Sequence, residues 1–121
     1  MKKILIVDDQ PEVRELVSVT LEIGPYQTLT AENGEQALAL ARAELPELIL
    51  LDIQMPGDLD GLAVCRLLKS DEYTHGIYVL MLTAKGQDWD KQLGYEAGAD
   101  DYFVKPFSPL ELMAKVEQVL G

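Results

Sequence analysis

Five short apolar runs, each followed by a stretch of helical period, constrain this chain more tightly than any other feature. The runs are Ile4-Leu5-Ile6-Val7, Gln27-Thr28-Leu29-Thr30-Ala31, Leu48-Ile49-Leu50-Leu51, Ile77-Tyr78-Val79-Leu80-Met81-Leu82 and Tyr102-Phe103-Val104. Most are nearly continuous rather than alternating, the pattern of parallel strands covered by helices on both faces. The second is more polar and reads as an edge strand.

Between the runs, Val13, Leu16, Val17 and Thr20 recur at helical spacing, as do Ala37, Leu38 and Ala41, and then Val64, Leu67 and Leu68. Leu112, Met113, Val116, Val119 and Leu120 make a strong last stripe, while Gly94 interrupts a weaker one through Trp89, Leu93 and Ala97. Gly24-Pro25 and Gly98 end helices, Pro46 separates a helix from a strand, and Ser108 with Glu111 spells a capping box. The sum is one α/β domain over residues 1–121, a flavodoxin-like (βα)5 unit. Its five parallel strands take the order 2-1-3-4-5, with helices on both faces. Ligands of such a sheet sit at the carboxyl ends of its strands.

At 121 residues the chain fits a single domain. One cysteine, Cys65, excludes an internal disulfide, and one histidine, His75, excludes a His-only metal cage. Cys65 and the Met residues read as core, His75 as a solvated loop residue and Trp89 as packing. The net charge is −11, so direct nucleic-acid or membrane-surface binding is not expected. Asp8-Asp9 cut short the apolar start that would otherwise mimic a signal peptide, and no segment approaches a membrane span. The expected setting is the cytoplasm.

The charged residues carry the chemistry. Asp8 and Asp9 follow the first strand, Asp52 the third, Thr83 the fourth and Lys105 the fifth. In the proposed order those strands are adjacent, so three carboxylates, a hydroxyl and an ammonium converge on one rim. Three crowded aspartates repel one another. Lys105 and a divalent cation together would neutralise them, and hard oxygen ligands favour Mg²⁺. A carboxylate beside such a metal can attack phosphorus to form an acyl phosphate. Lys105 would then stabilise charge on the transferring group while Thr83 donates a hydrogen bond.

These residues resemble the receiver domains of bacterial two-component response regulators, including the single-domain chemotaxis regulator. The resemblance covers essentially the whole chain. It rests on Val7-Asp8-Asp9-Gln10-Pro11, Leu51-Asp52-Ile53-Gln54-Met55-Pro56-Gly57, Leu82-Thr83-Ala84 and Tyr102-Phe103-Val104-Lys105-Pro106-Phe107. It implies that Asp52 is the phosphoacceptor, and that Asp8, Asp9, Asp52 and the Gln54 backbone carbonyl hold Mg²⁺, or Mn²⁺ in its place. Thr83, the Ala84 backbone and Lys105 would bind the phosphoryl group, with a cis bond from Lys105 to Pro106. Thr83 and Tyr102 would form a switch pair acting on the fourth helix, fifth strand and fifth helix. The implied partners are a sensor histidine kinase or phosphotransfer protein, a downstream protein or output domain, and, in one mode, a second copy on phosphorylation. Such a protein catalyses only its own phosphorylation and dephosphorylation.

Simpler readings compete at each position. Asp9-Gln10-Pro11-Glu12 also spells a helix start with Asp9 as the cap, and Asp9 can do both jobs. Alone, Asp52 would read as a turn residue, Lys105-Pro106 as a loop and Tyr102 as a half-buried aromatic. An aspartyl-phosphate phosphohydrolase needs an Asp-x-Asp loop after the first strand, which Asp8-Asp9-Gln10-Pro11 is not. A flavin carrier needs a Ser/Thr/Gly-rich loop there, and a docking module has no use for the intact acidic set. One departure stands out. The family commonly has a single residue between Met-Pro-Gly and Asp-Gly, whereas here Asp58 and Leu59 both intervene before Asp60-Gly61. Asp58 would add negative charge if it faced the site. Gln54 and Lys85 occupy positions that in the family tune acyl-phosphate hydrolysis.

Overall fold

Every apolar run becomes a strand of one parallel sheet in the computed structural model, which describes residues 1–84 and 88–121, with side chains described for 1–83 and 92–121. Its elements are β1 (Lys2–Val7), α1 (Pro11–Glu22), β2 (Tyr26–Ala31), α2 (Gly34–Glu44), β3 (Leu48–Asp52), α3 (Gly61–Ser70), β4 (Tyr78–Ala84), α4 (Asp88–Glu96), β5 (Asp101–Lys105) and α5 (Pro109–Leu120). All pairings are parallel in the order β2-β1-β3-β4-β5, with the polar second strand at an edge as expected.

Successive strand residues point to opposite faces, and this parity divides the interior. Ile4 and Ile6, Leu48 and Leu50, and Leu80 and Leu82 face one way, where Val17 and Leu21 of α1 and Leu112 and Val116 of α5 cover them. Leu5 and Val7, Ile49 and Leu51, and Val79 and Met81 face the other way, against Ala37 and Ala41 of α2 and Val64, Cys65 and Leu68 of α3. All five residues of β3 are buried, which is why its sequence could not alternate. Each buried Leu or Ile there contributes roughly 1.5–3 kcal/mol.

Several local expectations need correction. Leu16 is 52% exposed, because the buried face of α1 centres on Val17 and Leu21, one turn apart. Leu67 is 40% exposed for the same reason, Val64, Cys65 and Leu68 taking the inward positions of α3. Met55 and Met81 are core, but Met1 lies outside the sheet and is exposed. Asp9 does not cap α1. The cap position falls on Gln10, without a side-chain bond, and the Asp8 carboxylate instead accepts the Gln10 N–H at 2.9 Å. The two-residue reach of an aspartate onto its own turn explains the exchange.

Other punctuation holds. α1 stops at Glu22, just before Gly24-Pro25, and α2 stops at Glu44, with Leu45 left-handed before Pro46. Gly98 has φ +100° just past α4. Ser108 accepts the Glu111 N–H at 3.1 Å, the forward half of the capping box. Cys65 is buried and donates to the Ala97 carbonyl, and burial pushes its thiol up to about 11. His75 is exposed. Lys85 lies outside the described residues, as does the Trp89 side chain. Among the described residues no helix is long and apolar enough to cross a membrane.

Candidate functional site

Strand register alone brings the acids together. Val7 pairs with Leu51, so the next residues, Asp8 and Asp52, lie side by side. Asp52 pairs with Leu82, and Ala84 pairs with Lys105. Thr83 therefore stands one residue beyond the Asp52 row and Lys105 two. Parity sorts the side chains as well. Asp8, Asp52 and Lys105 continue the series that faces α1 and α5, while Thr83 and Tyr102 continue the series that faces α2 and α3. The acid–lysine cluster and the hydroxyl–tyrosine pair thus lie on opposite sides of one strand end.

Carboxylate oxygens of Asp8, Asp9 and Asp52 all lie within 4.8 Å of one another. Asp8 and Asp52 are buried and Asp9 is exposed. The Lys105 ammonium sits 3.0 Å from Asp8 Oδ2 and 3.3 Å from Asp52 Oδ2. Burial pushes the Asp52 carboxyl above the usual carboxylate range. The Lys105 charge and the Gln54 N–H, which donates to Asp52 Oδ1 at 3.2 Å, oppose that shift, whereas the Asp8 charge adds to it. Burial alone would lower the Lys105 pKa, but the Asp52 charge and the hydrogen bond to Asp8 outweigh it, and the ammonium is held above its ordinary value.

Asp9, Gln10, Asp52, Ile53, Gln54 and Lys105 line a cleft of about 340 Å³ over this cluster. Asp58 is exposed and is not one of those lining residues, so the longer loop does not bring its charge into the cleft. Leu59 packs against Gly34 at the start of α2, where a Cβ would come within 2.5 Å of Leu59 Cβ. Asp60 then caps α3 by accepting the Ala63 N–H at 2.9 Å.

Thr83 is buried, and among the described residues its Oγ1 finds no hydrogen-bond partner. An orphaned buried hydroxyl is costly to keep in a folded protein. Tyr102 is half-buried, packing edge-on against Tyr95 with ring centroids 5.3 Å apart. The Lys105–Pro106 bond is cis. The Ala84 backbone ends β4 beside Lys105. Sequence reasoning missed Arg14, whose Nη1 donates to the Asp8 carbonyl at 2.7 Å and ties α1 to the turn. No pattern marks it, because it reaches back to backbone across the loop.

The donor set fits a small hard cation: oxygen ligands only, two of three carboxylates buried, one open to solvent. Comparison with known proteins identifies the family. The family model "Response regulator receiver domain" matches residues 4–117. The phosphate regulon transcriptional regulatory protein PhoB of Pseudomonas aeruginosa is 50% identical over 98% of this chain and 52% of its own length. The alkaline phosphatase synthesis transcriptional regulatory protein PhoP of Bacillus subtilis is 48% identical over 98% of this chain and 48% of its own length. This chain therefore spans about half the length of those curated relatives. Among solved structures, the chemotaxis response regulator CheY4 of Vibrio cholerae superposes with a TM-score of 0.92 at 34% identity, covering 99% of both chains.

Proposed function

Because the chain belongs to the response-regulator receiver family of two-component systems, we propose that Asp52 accepts a phosphoryl group from the phosphohistidine of a sensor histidine kinase or phosphotransfer protein. The observation that carries this reading is the pairing of Asp52 with Lys105 at 3.3 Å on the wall of the cleft. Of the three acids, Asp52 alone is both buried and part of that wall. Asp8 is fully buried and Asp9 is exposed.

An Asp52 oxygen attacks phosphorus, the phosphorus–nitrogen bond to the donor imidazole breaks, and the imidazole leaves with the electron pair. Lys105, already beside the nucleophile, meets the growing charge on the phosphoryl oxygens. The Thr83 hydroxyl and the Ala84 N–H supply further donors. Asp8, Asp9, Asp52 and the Gln54 carbonyl would hold Mg²⁺, or Mn²⁺ in its place, and the cation would supply the positive charge that lets these acids and the phosphate lie together. The only chemistry is the protein's own phosphorylation and dephosphorylation.

Phosphorylation doubles the negative charge at Asp52 and adds acceptor oxygens, which draws the Thr83 donor inward. Tyr102, on the same side of the strand end, then repacks and biases the α4–β5–α5 face towards a downstream partner, an output domain or a second copy. These residues carry one domain, the receiver unit, and its setting is the cytoplasm. The relatives are transcriptional regulators by name. With a net charge of −11 this unit is unsuited to touching nucleic acid itself.

Mg²⁺ with acetyl phosphate is expected to raise the intact mass by one phosphoryl group, and EDTA to prevent it. No gain in Mg²⁺ would overturn the reading. Tyr102→Ala should keep that gain and lose phosphorylation-dependent partner binding or dimerisation, read by pull-down or light scattering with and without beryllofluoride.

A further inference from the structure

The first turn of α3 lies directly against the backbone of the proposed acceptor. Gly61, the first residue of that helix, is buried. A Cβ there would overlap the Asp52 carbonyl oxygen and fall 2.7 Å from Ile53 Cα and 2.9 Å from the Asp52 carbonyl carbon. These are backbone atoms at the end of a buried strand, so no rotamer change relieves the clash. Space, not conformational freedom, demands glycine, since Gly61 is not among the positive-φ residues. The contact is also bonded: the Gly61 N–H donates to the Ile53 carbonyl at 3.2 Å, and the Asp60 cap fixes the turn from the other side.

We propose that Gly61, held by the Asp60 cap, is a positioning residue for phosphoryl acceptance. It fixes the Asp52 peptide, and with it the direction of the Asp52 carboxylate and of the Gln54 backbone two residues on. The inference rests on the reading of Asp52 as the acceptor. A displacement of about 1 Å at a reacting group can cost on the order of 100-fold in rate.

The test follows intact mass with Mg²⁺ and acetyl phosphate in wild type, Gly61→Ala, Asp60→Ala, Asp60→Asn and Val116→Ala, with the folded fraction of each sample read by circular dichroism. Gly61→Ala is expected to lower the maximal rate per folded molecule about tenfold or more, leaving the half-saturating donor concentration near wild type. Asp60→Ala should slow it about threefold, and Asp60→Asn, which keeps a capping oxygen, should restore it. Val116→Ala opens a cavity under α5, on the sheet face opposite α3, and should reduce the folded fraction without changing the rate per folded molecule. A wild-type rate in folded Gly61→Ala overturns the proposal. Should Gly61→Ala not fold, the Asp60 pair decides, and equal rates for Asp60→Ala and Asp60→Asn overturn it. Modification that persists in Asp52→Asn overturns the acceptor reading instead, which is a separate failure.

Discussion

Asp52→Asn is expected to abolish phosphoryl uptake and at the same time to raise the melting temperature of the metal-free protein. Both results come from one side chain. The amide cannot form the acyl phosphate, so the intact mass in Mg²⁺ and acetyl phosphate stays that of the unmodified chain. The stability gain follows from the direction of the Asp52 shift. A carboxyl whose folded pKa is raised binds its proton more tightly in the folded state. Its contribution is therefore favourable below the unfolded pKa and lost as pH rises through the folded one, so at neutral pH the ionised Asp52 works against folding. Asparagine removes that charge and leaves Lys105 its 3.0 Å contact with Asp8. Thermal melts at pH 7 in EDTA check this, and at pH 3 the two proteins should converge. A variant that melts lower than wild type at pH 7 contradicts the account of the buried acids, and one that still gains phosphoryl mass contradicts the assignment of the acceptor.

Lys105→Ala has the opposite sign. It leaves Asp8 and Asp52 adjacent and buried with no cation between them, and breaking a fully buried pair costs about 3–5 kcal/mol. The Lys105 side chain is 27% exposed, so water screens part of the effect, and about 2 kcal/mol is expected in metal-free buffer. Urea denaturation followed by circular dichroism measures it. Millimolar Mg²⁺ should return much of the loss, because a cation that binds only the folded protein stabilises it by mass action. A denaturation midpoint unmoved by the substitution, or insensitive to Mg²⁺, removes Lys105 from its place as counter-charge. In the phosphorylated state Lys105→Ala should still carry its phosphoryl group yet fail to engage the partner. The ammonium that would couple the phosphate to β5 is then gone.

The fold was legible because burial on both faces of a parallel sheet leaves continuous apolar runs, and β3, buried throughout, is the clearest case. Helix faces were less legible. Leu16 and Leu67 fit the apolar periodicity yet are half-exposed, since spacing gives a stripe but not the angle at which the helix docks. The turn after β1 shows the same gap at single-residue scale. Asp8 and Asp9 are chemically equivalent in sequence, and only burial decides that Asp8 takes the Gln10 N–H while Asp9 stays open to solvent. For the longer loop after β3, sequence could count the extra residue. The seating of Leu59 on Gly34 depends on a helix start twenty-five positions away in the chain.

Residue order by itself determined five strands, their helices and the placing of every acid, hydroxyl and ammonium at a strand's carboxyl end, because strand period and rim position are local properties. Tertiary structure alone decided the stagger of those groups and the contact of Gly61 with the Asp52 peptide. Such contacts join residues far apart in the chain, and their distances depend on how helices and sheet pack, which no local pattern encodes.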